Sequence, residues 1–299
     1  MSTFDRKEPM KRIIAALAGV AFALAALCGA NTASAAVQPH IVGGTQATGD
    51  TGYVASLRYT AVKHNVVDHE TCAGALVFPG WVATAAHCVT DEPGGNDPIP
   101  TADKKFSVRV GSKDRTQDGE VRDVVQVVVD PRWKWGGDPM FDAAMLRLQR
   151  PVDIQPIRVA PREARPGTAV RFYGWGVWNP DGSGPLPTQL QQLDSRVIPA
   201  WKCADAGITR NEICTNNPDG TDGPGPGDSG GPAVVFDEDG VPELVGMCSR
   251  GSKPLPGEAP TVYTSAPAYR AWMFDVARGR IPAPVTTHGP AKHEFALAG

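Results

Sequence analysis

The sequence predicts an all-β fold of sandwich or barrel type, and two observations carry that prediction. Eight stretches, at 74–83, 106–110, 121–129, 143–148, 169–173, 191–198, 233–236 and 244–247, are short, rich in β-branched residues and bounded by Gly or Pro. The 299 residues also include 33 Gly and 28 Pro, which suits many turns and few long helices. One helix is expected late, over 269–278, with Trp272, Met273 and Val276 on its apolar side. The loop 90–102 is rich in Pro, Gly and Asp and is expected to decorate a rim, and the segment 281–299 is expected to be disordered or removed.

The first forty residues read as a targeting and processing segment. Met10-Lys11-Arg12 is a charged start, 13–27 is an apolar run, and Ala33-Ser34-Ala35 is a small-residue cleavage site, so 1–35 is expected to be a signal peptide and 36–40 a short propeptide. A membrane anchor is the weaker alternative, because the apolar run is short and breaks at Cys28-Gly29. The formal charge of −3 becomes −5 once the four Lys/Arg and two Asp/Glu of residues 1–40 are set aside. No basic stripe points to nucleic acid. Five cysteines remain, Cys72, Cys88, Cys203, Cys214 and Cys248, and in an exported chain an odd number implies disulfides with one left over. A zinc site from His64, His69, Cys72, His87 and Cys88 lacks the CxxC or HxxxH spacing it would need.

Three islands carry chemistry: Thr84-Ala85-Ala86-His87-Cys88, Phe141-Asp142-Ala143-Ala144 and Gly227-Asp228-Ser229-Gly230-Gly231-Pro232. A serine hydroxyl is a poor nucleophile until an imidazole within hydrogen-bond reach takes its proton, and that imidazole needs a buried acceptor to hold its tautomer. His87, Asp142 and Ser229 are candidates for base, orienting carboxylate and nucleophile. A tetrahedral intermediate also needs backbone N–H donors, which the amides of Gly227 and Ser229 would supply once Gly227 lets the chain turn sharply. His64, His69, His288 and His293 have no such flanks and read as loop or tail residues. Trp133 and Trp135 precede Asp142 in a loop, where plain packing and a border to the site are equal alternatives.

These islands, together with Ile41-Val42-Gly43-Gly44, Gly174-Trp175-Gly176, Asn211-Glu212-Ile213-Cys214 and Val262-Tyr263-Thr264, resemble a trypsin/chymotrypsin-type secreted serine endopeptidase of bacterial appearance over about 41–280. The resemblance implies two six-stranded antiparallel β-barrels, about 41–159 and 160–265, a C-terminal helix, and a site in the cleft between barrels. It implies disulfides Cys72–Cys88 and Cys203–Cys214, with Cys248 left as a small buried hydrophobe. It also implies a zymogen in which a freed Ile41 amine pairs with Asp228, although His40 is not the Arg or Lys that a trypsin-like activator would cut after.

The same resemblance places the primary substrate pocket among Asp222, Gly223, Ser249, Arg250, Gly251 and Thr261. Gly223 stands where trypsin-like members have Asp, and Thr261 stands where deep pockets have Gly, so small or medium uncharged side chains are favoured. The alternative is Arg or Lys, should a register shift bring Asp222 to the pocket floor. Arg250 could favour an acidic substrate residue upstream or serve only as a solvated rim charge. No cofactor or metal is expected, and Asp114, Asp118 and Glu120 make an arguable but unconvincing calcium loop. Expected partners are polypeptide substrates, an activating protease and protein inhibitors, with the mature protein a monomer free of membrane. Rival readings are a catalytically silent homologue that binds without cutting, and an esterase of unrelated fold, which the His-before-Ser order argues against.

Overall fold

Residues 41–138 and 140–281 are described by a computed structural model of the chain; the expected signal peptide, the propeptide and the tail from 282 onward lie outside the described residues. The β-branched stretches form strands that close into two barrels. The first is built from β2 (Val54–Ala61), β3 (Val66–Phe78), β4 (Trp81–Thr84), β5 (Lys105–Val110), β6 (Glu120–Val129) and β7 (Ala144–Leu148), in the order β2-β3-β4-β7-β6-β5. The second is a ring of β9 (Ala169–Gly174), β10 (Gln191–Ile198), β11 (Glu212–Thr215), β14 (Thr261–Ser265), β13 (Pro242–Gly251) and β12 (Pro232–Phe236), with β12 pairing back to β9. All pairings within the two rings are antiparallel. Closure leaves no long free edge in either ring. Short β1 (Thr45–Gln46) pairs with β10, so the start of the described chain is stitched to the second barrel, and β8 (Arg158–Val159) lies parallel beside β13.

Two local readings change, at 74–83 and at the helix, and one strand, β2, lies outside the expected stretches. The stretch 74–83 is two strands, because Pro79 and Gly80 turn the chain between Phe78 and Trp81. The strand β2 carries no clean alternation, since Ser56 and Arg58 are buried beside Leu57 and Val54. Arg58 tolerates this because its guanidinium donates to the carbonyls of Arg115 and Asp68 and pairs with the Asp68 carboxylate at 2.7 Å. The helix, α1 (Ala266–Ala277), starts earlier than expected, where the Ser265 hydroxyl caps the Ala268 N–H and Pro267 sits in the first turn. It buries Ala266, Tyr269, Met273 and Val276, and Trp272 stands at the edge of that face.

One apolar cluster fills the first barrel and runs under α1, and a second, with Ile41, Phe172, Leu193 and Tyr263 among its members, fills the other barrel. The disulfides Cys72–Cys88 and Cys203–Cys214 are both present. The first ties β3 to the turn that carries His87, and the second closes the loop that enters β11.

Candidate active site

His87 sits on a 3-10 turn, Ala86–Val89, that follows β4. Its ring Nδ1 lies 2.8 Å from Asp142 Oδ2, and its backbone N–H donates to Asp142 Oδ1 at 3.0 Å. A carboxylate can only accept, so Nδ1 carries the proton and Nε2 is left as the acceptor. Asp142 is fully buried and receives a second donor on Oδ2, the hydroxyl of Ser249 at 2.7 Å. Burial pushes the Asp142 carboxyl up, but the His87 ring and the Ser249 hydroxyl hold it below the ordinary value. Burial likewise works against the imidazolium, yet the Asp142 charge holds His87 above its ordinary value. The preceding residue, Phe141, has φ +55°, a strained conformation for a bulky side chain. Its ring lies under the Arg132 guanidinium at 4.2 Å, and Arg132 is itself clamped by Asp130.

Ser229 lies in a turn between the barrels. Its carbonyl accepts from Ala73 N–H in the first barrel at 2.8 Å, and the next amide, Gly230 N–H, donates to Cys248 in the second. Gly227 has φ +99°, and a Cβ there would lie 3.0 Å from both the Gly176 backbone and Leu186, so the turn requires glycine. Among the described residues, the amides of Asp228, Gly230 and Gly231 donate to backbone carbonyls, whereas those of Gly227 and Ser229 have no protein acceptor. Ser229, Gly227 and His87 line one cleft of about 530 Å³, bordered by Trp135 and the 90–102 loop. The Trp135 ring meets His87 edge-on at 6.0 Å and donates to Thr90 Oγ1, as does Trp133, so this loop does border the site.

Beside Ser229 opens a smaller pocket of about 150 Å³, with Ser249, Arg250, Gly251, Lys253, Pro254 and Thr261 among its lining residues. Asp222 and Gly223 do not line it. Gly223 N–H donates to the Val42 carbonyl, and the Asp222 carboxyl lies so close over Gly43 that a Cβ there would be 1.9 Å from Asp222 Cγ. Gly223 is thus held against Val42 and the Asp222 carboxyl lies over Gly43, both outside the pocket lining. Arg250 does not reach outward as a rim charge or toward an upstream acid, because its guanidinium is paired with Glu212 at 2.6 Å. Cys248 is a buried free thiol in the pocket wall, and burial pushes its pKa well up.

Asp228, next to Ser229, is also buried. It accepts from Gly176 N–H at 2.8 Å and Gly225 N–H at 2.9 Å, and burial raises its pKa to about 7 despite these two bonds. The Gly174-Trp175-Gly176 island has its reason here. A Cβ on Gly174 or Gly176 would come within 2.0 or 2.2 Å of an Asp228 oxygen. Ile41 is wholly buried in the second core.

The candidate metal ligands Cys72, His87 and Cys88 lie within 4.8 Å of one another, but both sulfurs are spent in the disulfide and offer no thiolate. The 111–120 loop holds its own acids. Asp114 caps Thr116, and Glu120 pairs with Arg122.

The trypsin family model matches residues 41–273. The chain belongs to the trypsin family. Similar proteins include kallikrein-14 of Homo sapiens, 34% identical over 70% of this chain and 75% of its own. Others are a trypsin of Phaedon cochleariae, 31% identical over 69% and 78%, and kallikrein-1 of Mus musculus, 29% identical over 84% and 94%. None of these relatives is bacterial, so the bacterial appearance of the sequence finds no support in them. The family explains why the two-barrel architecture accompanies the His, Asp, Ser order. In this chain Arg250 lines the smaller pocket, and no acid does.

Proposed function

We propose that this trypsin-family protein is a secreted serine endopeptidase that works through an acyl-enzyme. The observation that carries the reading is the His87–Asp142 bond opening onto a cleft shared with Ser229. His87 Nε2 takes the Ser229 proton as Oγ attacks the substrate carbonyl, the amides of Gly227 and Ser229 hold the oxyanion, and His87 then protonates the leaving amine. Water, activated by the same imidazole, releases the acyl group and restores Ser229. The chain is made as a precursor, and cleavage after His40 frees the Ile41 amine to pair with Asp228.

Two specificities follow from two observations. The 150 Å³ pocket without an acid favours small or medium uncharged side chains. The likeness to proteins named trypsin and kallikrein favours the alternative, Arg or Lys, which would require Asp222 to leave Gly43 and turn inward. A third reading, a homologue that binds polypeptide without cutting it, draws on one observation, that no hydrogen bond joins Ser229 to His87 among the described residues.

Intact mass of the secreted protein, with and without a fluorophosphonate, decides the class. A single adduct, absent in Ser229→Ala, on a chain beginning at Ile41 is the expected result. No adduct on such a chain would leave the binding reading in its place. A peptide library then separates the two specificities.

A further inference from the structure

Every N–H of the Arg250 guanidinium is used. Nε donates to the Ala206 carbonyl at 2.8 Å, and Nη2 donates to the Gly207 carbonyl at 2.8 Å and to Glu212 Oε2 at 3.0 Å. Nη1 donates to Glu212 Oε1 at 2.6 Å and to Ser249 Oγ at 3.2 Å. Five donors meet five acceptors, and Arg has no acceptor of its own. Ser249 Oγ can therefore only accept from Arg250, and its single proton is left to point at Asp142 Oδ2, 2.7 Å away. That oxygen is the one that takes His87 Nδ1–H.

The far end of the chain is anchored as firmly. Glu212 is buried, with its side chain 4% exposed, and Oε2 also accepts from the Thr209 N–H at 2.7 Å and the Thr209 hydroxyl at 3.1 Å. Ala206, Gly207, Thr209 and Glu212 all belong to the loop closed by Cys203–Cys214. A donor-only group, a hydroxyl and a carboxylate thus form a directed line from a disulfide loop to the imidazole.

We propose that Arg250 is a positioning residue for His87, which acts by fixing the Ser249 proton on Asp142 and by placing a cation near the ring. The inference rests on the reading of His87 as general base. The charged groups facing His87 are Asp142 from the loop before β7, Glu92 from the 90–102 loop and Arg250 from β13. Asp91, Asp97 and Lys104 lie farther round the cleft. Asp142 and Glu92 favour the imidazolium, and Arg250 disfavours it. Loss of Arg250 therefore acts with one sign. The nearby cation goes, Glu212 loses its counter-charge, and a freed Ser249 hydroxyl no longer dampens Asp142, so each change raises the His87 titration.

The test uses the chain beginning at Ile41 and reads imidazole titration by ¹⁵N NMR beside the pH profile of kcat/KM. Arg250→Met should raise the His87 midpoint by about one unit and move the acid limb of the profile with it. It should lower kcat about tenfold and leave KM within about twofold. Arg250→Lys keeps the charge without the fork and should recover part of the midpoint. In a Ser249→Ala background the Arg250→Met shift should shrink to the charge effect alone. An unchanged midpoint in folded Arg250→Met, or a shift fully retained without Ser249, overturns the proposal. Should Arg250→Met fail to fold, Arg250→Lys against Ser249→Ala carries the same comparison, and equal midpoints in Arg250→Lys and the parent overturn it. The titration needs no turnover, so a parent chain that takes no fluorophosphonate would sink the hydrolase reading and leave this inference to be decided by NMR.

Discussion

Asp142 and Asp228 are both buried carboxylates within the same site, yet their surroundings push them in opposite directions. Asp142 is met by His87 through ring and backbone and by Ser249, and it sits below the ordinary carboxylate range. Asp228 is met by two glycine amides and is pushed up to about 7. The half of the site around His87 is electrostatically complete, whereas the half that carries Ser229 holds a costly anion whose charge is compensated only by dipoles among the described residues. If the chain is a precursor, as proposed, a freed Ile41 amine is the missing cation. The difference teaches that two buried carboxylates of one site can part by their partners: Asp142 draws donors from both barrels, His87 from the first and Ser249 from the second, whereas Asp228 is met only by glycine amides among the described residues.

The largest effect should come from breaking the finished half. Asp142→Asn removes the acceptor that fixes the His87 tautomer and should lower kcat about 10⁴-fold, the scale of the same replacement in this family, with the fold retained by circular dichroism. An unaffected rate would mean that His87 is not the base. Next, Gly176→Ala strikes the unfinished half, because its Cβ would fall 2.2 Å from Asp228 Oδ2. It should cost about 2–3 kcal/mol in urea unfolding, and the amide-to-carboxylate bond should be lost with it.

The smallest and sharpest effect is a pH dependence. The folded pKa of Asp228 lies above its unfolded value, so its protonated form stabilises the fold at low pH, and that contribution is lost as pH rises from about 4 through about 7. Glu70, pushed up to about 8 by burial in spite of Arg115, adds a fall of the same sign. Asp142 acts oppositely, losing stability as pH falls through its lowered pKa. The uncut chain and the chain beginning at Ile41 share the Glu70 and Asp142 contributions, so the difference between their urea midpoints should grow from pH 4 to pH 7. Parallel midpoints would remove Asp228 from the proposed switch.

Much of the site was legible because the chemistry-bearing residues sit in local turns whose flanks are themselves constrained. Gly227 and Gly230 around Ser229 both adopt positive φ, and Gly174 and Gly176 leave room for a carboxylate, so short motifs carry the geometry. The strand β2 was not legible, since its buried Arg58 and Ser56 hide the alternation, and Arg58 is tolerated only through partners brought from β3 and the 111–120 loop. The direction of Asp222 was hidden for a similar reason, because Gly43, over which its carboxyl packs, lies far away in sequence.

By itself, the order of residues determined the all-β class, the three chemical islands in the sequence His87, Asp142, Ser229, and an odd cysteine count that leaves one thiol over. Backbone sterics, β-branching and turn glycines act over a few residues, and a linear reading captures them. Tertiary structure alone decided which way the charged side chains face. Arg250 turns to Glu212 and Ser249 because a buried or half-buried charge goes to the best partner that folding brings near it, and the Asp222 carboxyl packs over Gly43 because a glycine there leaves the room.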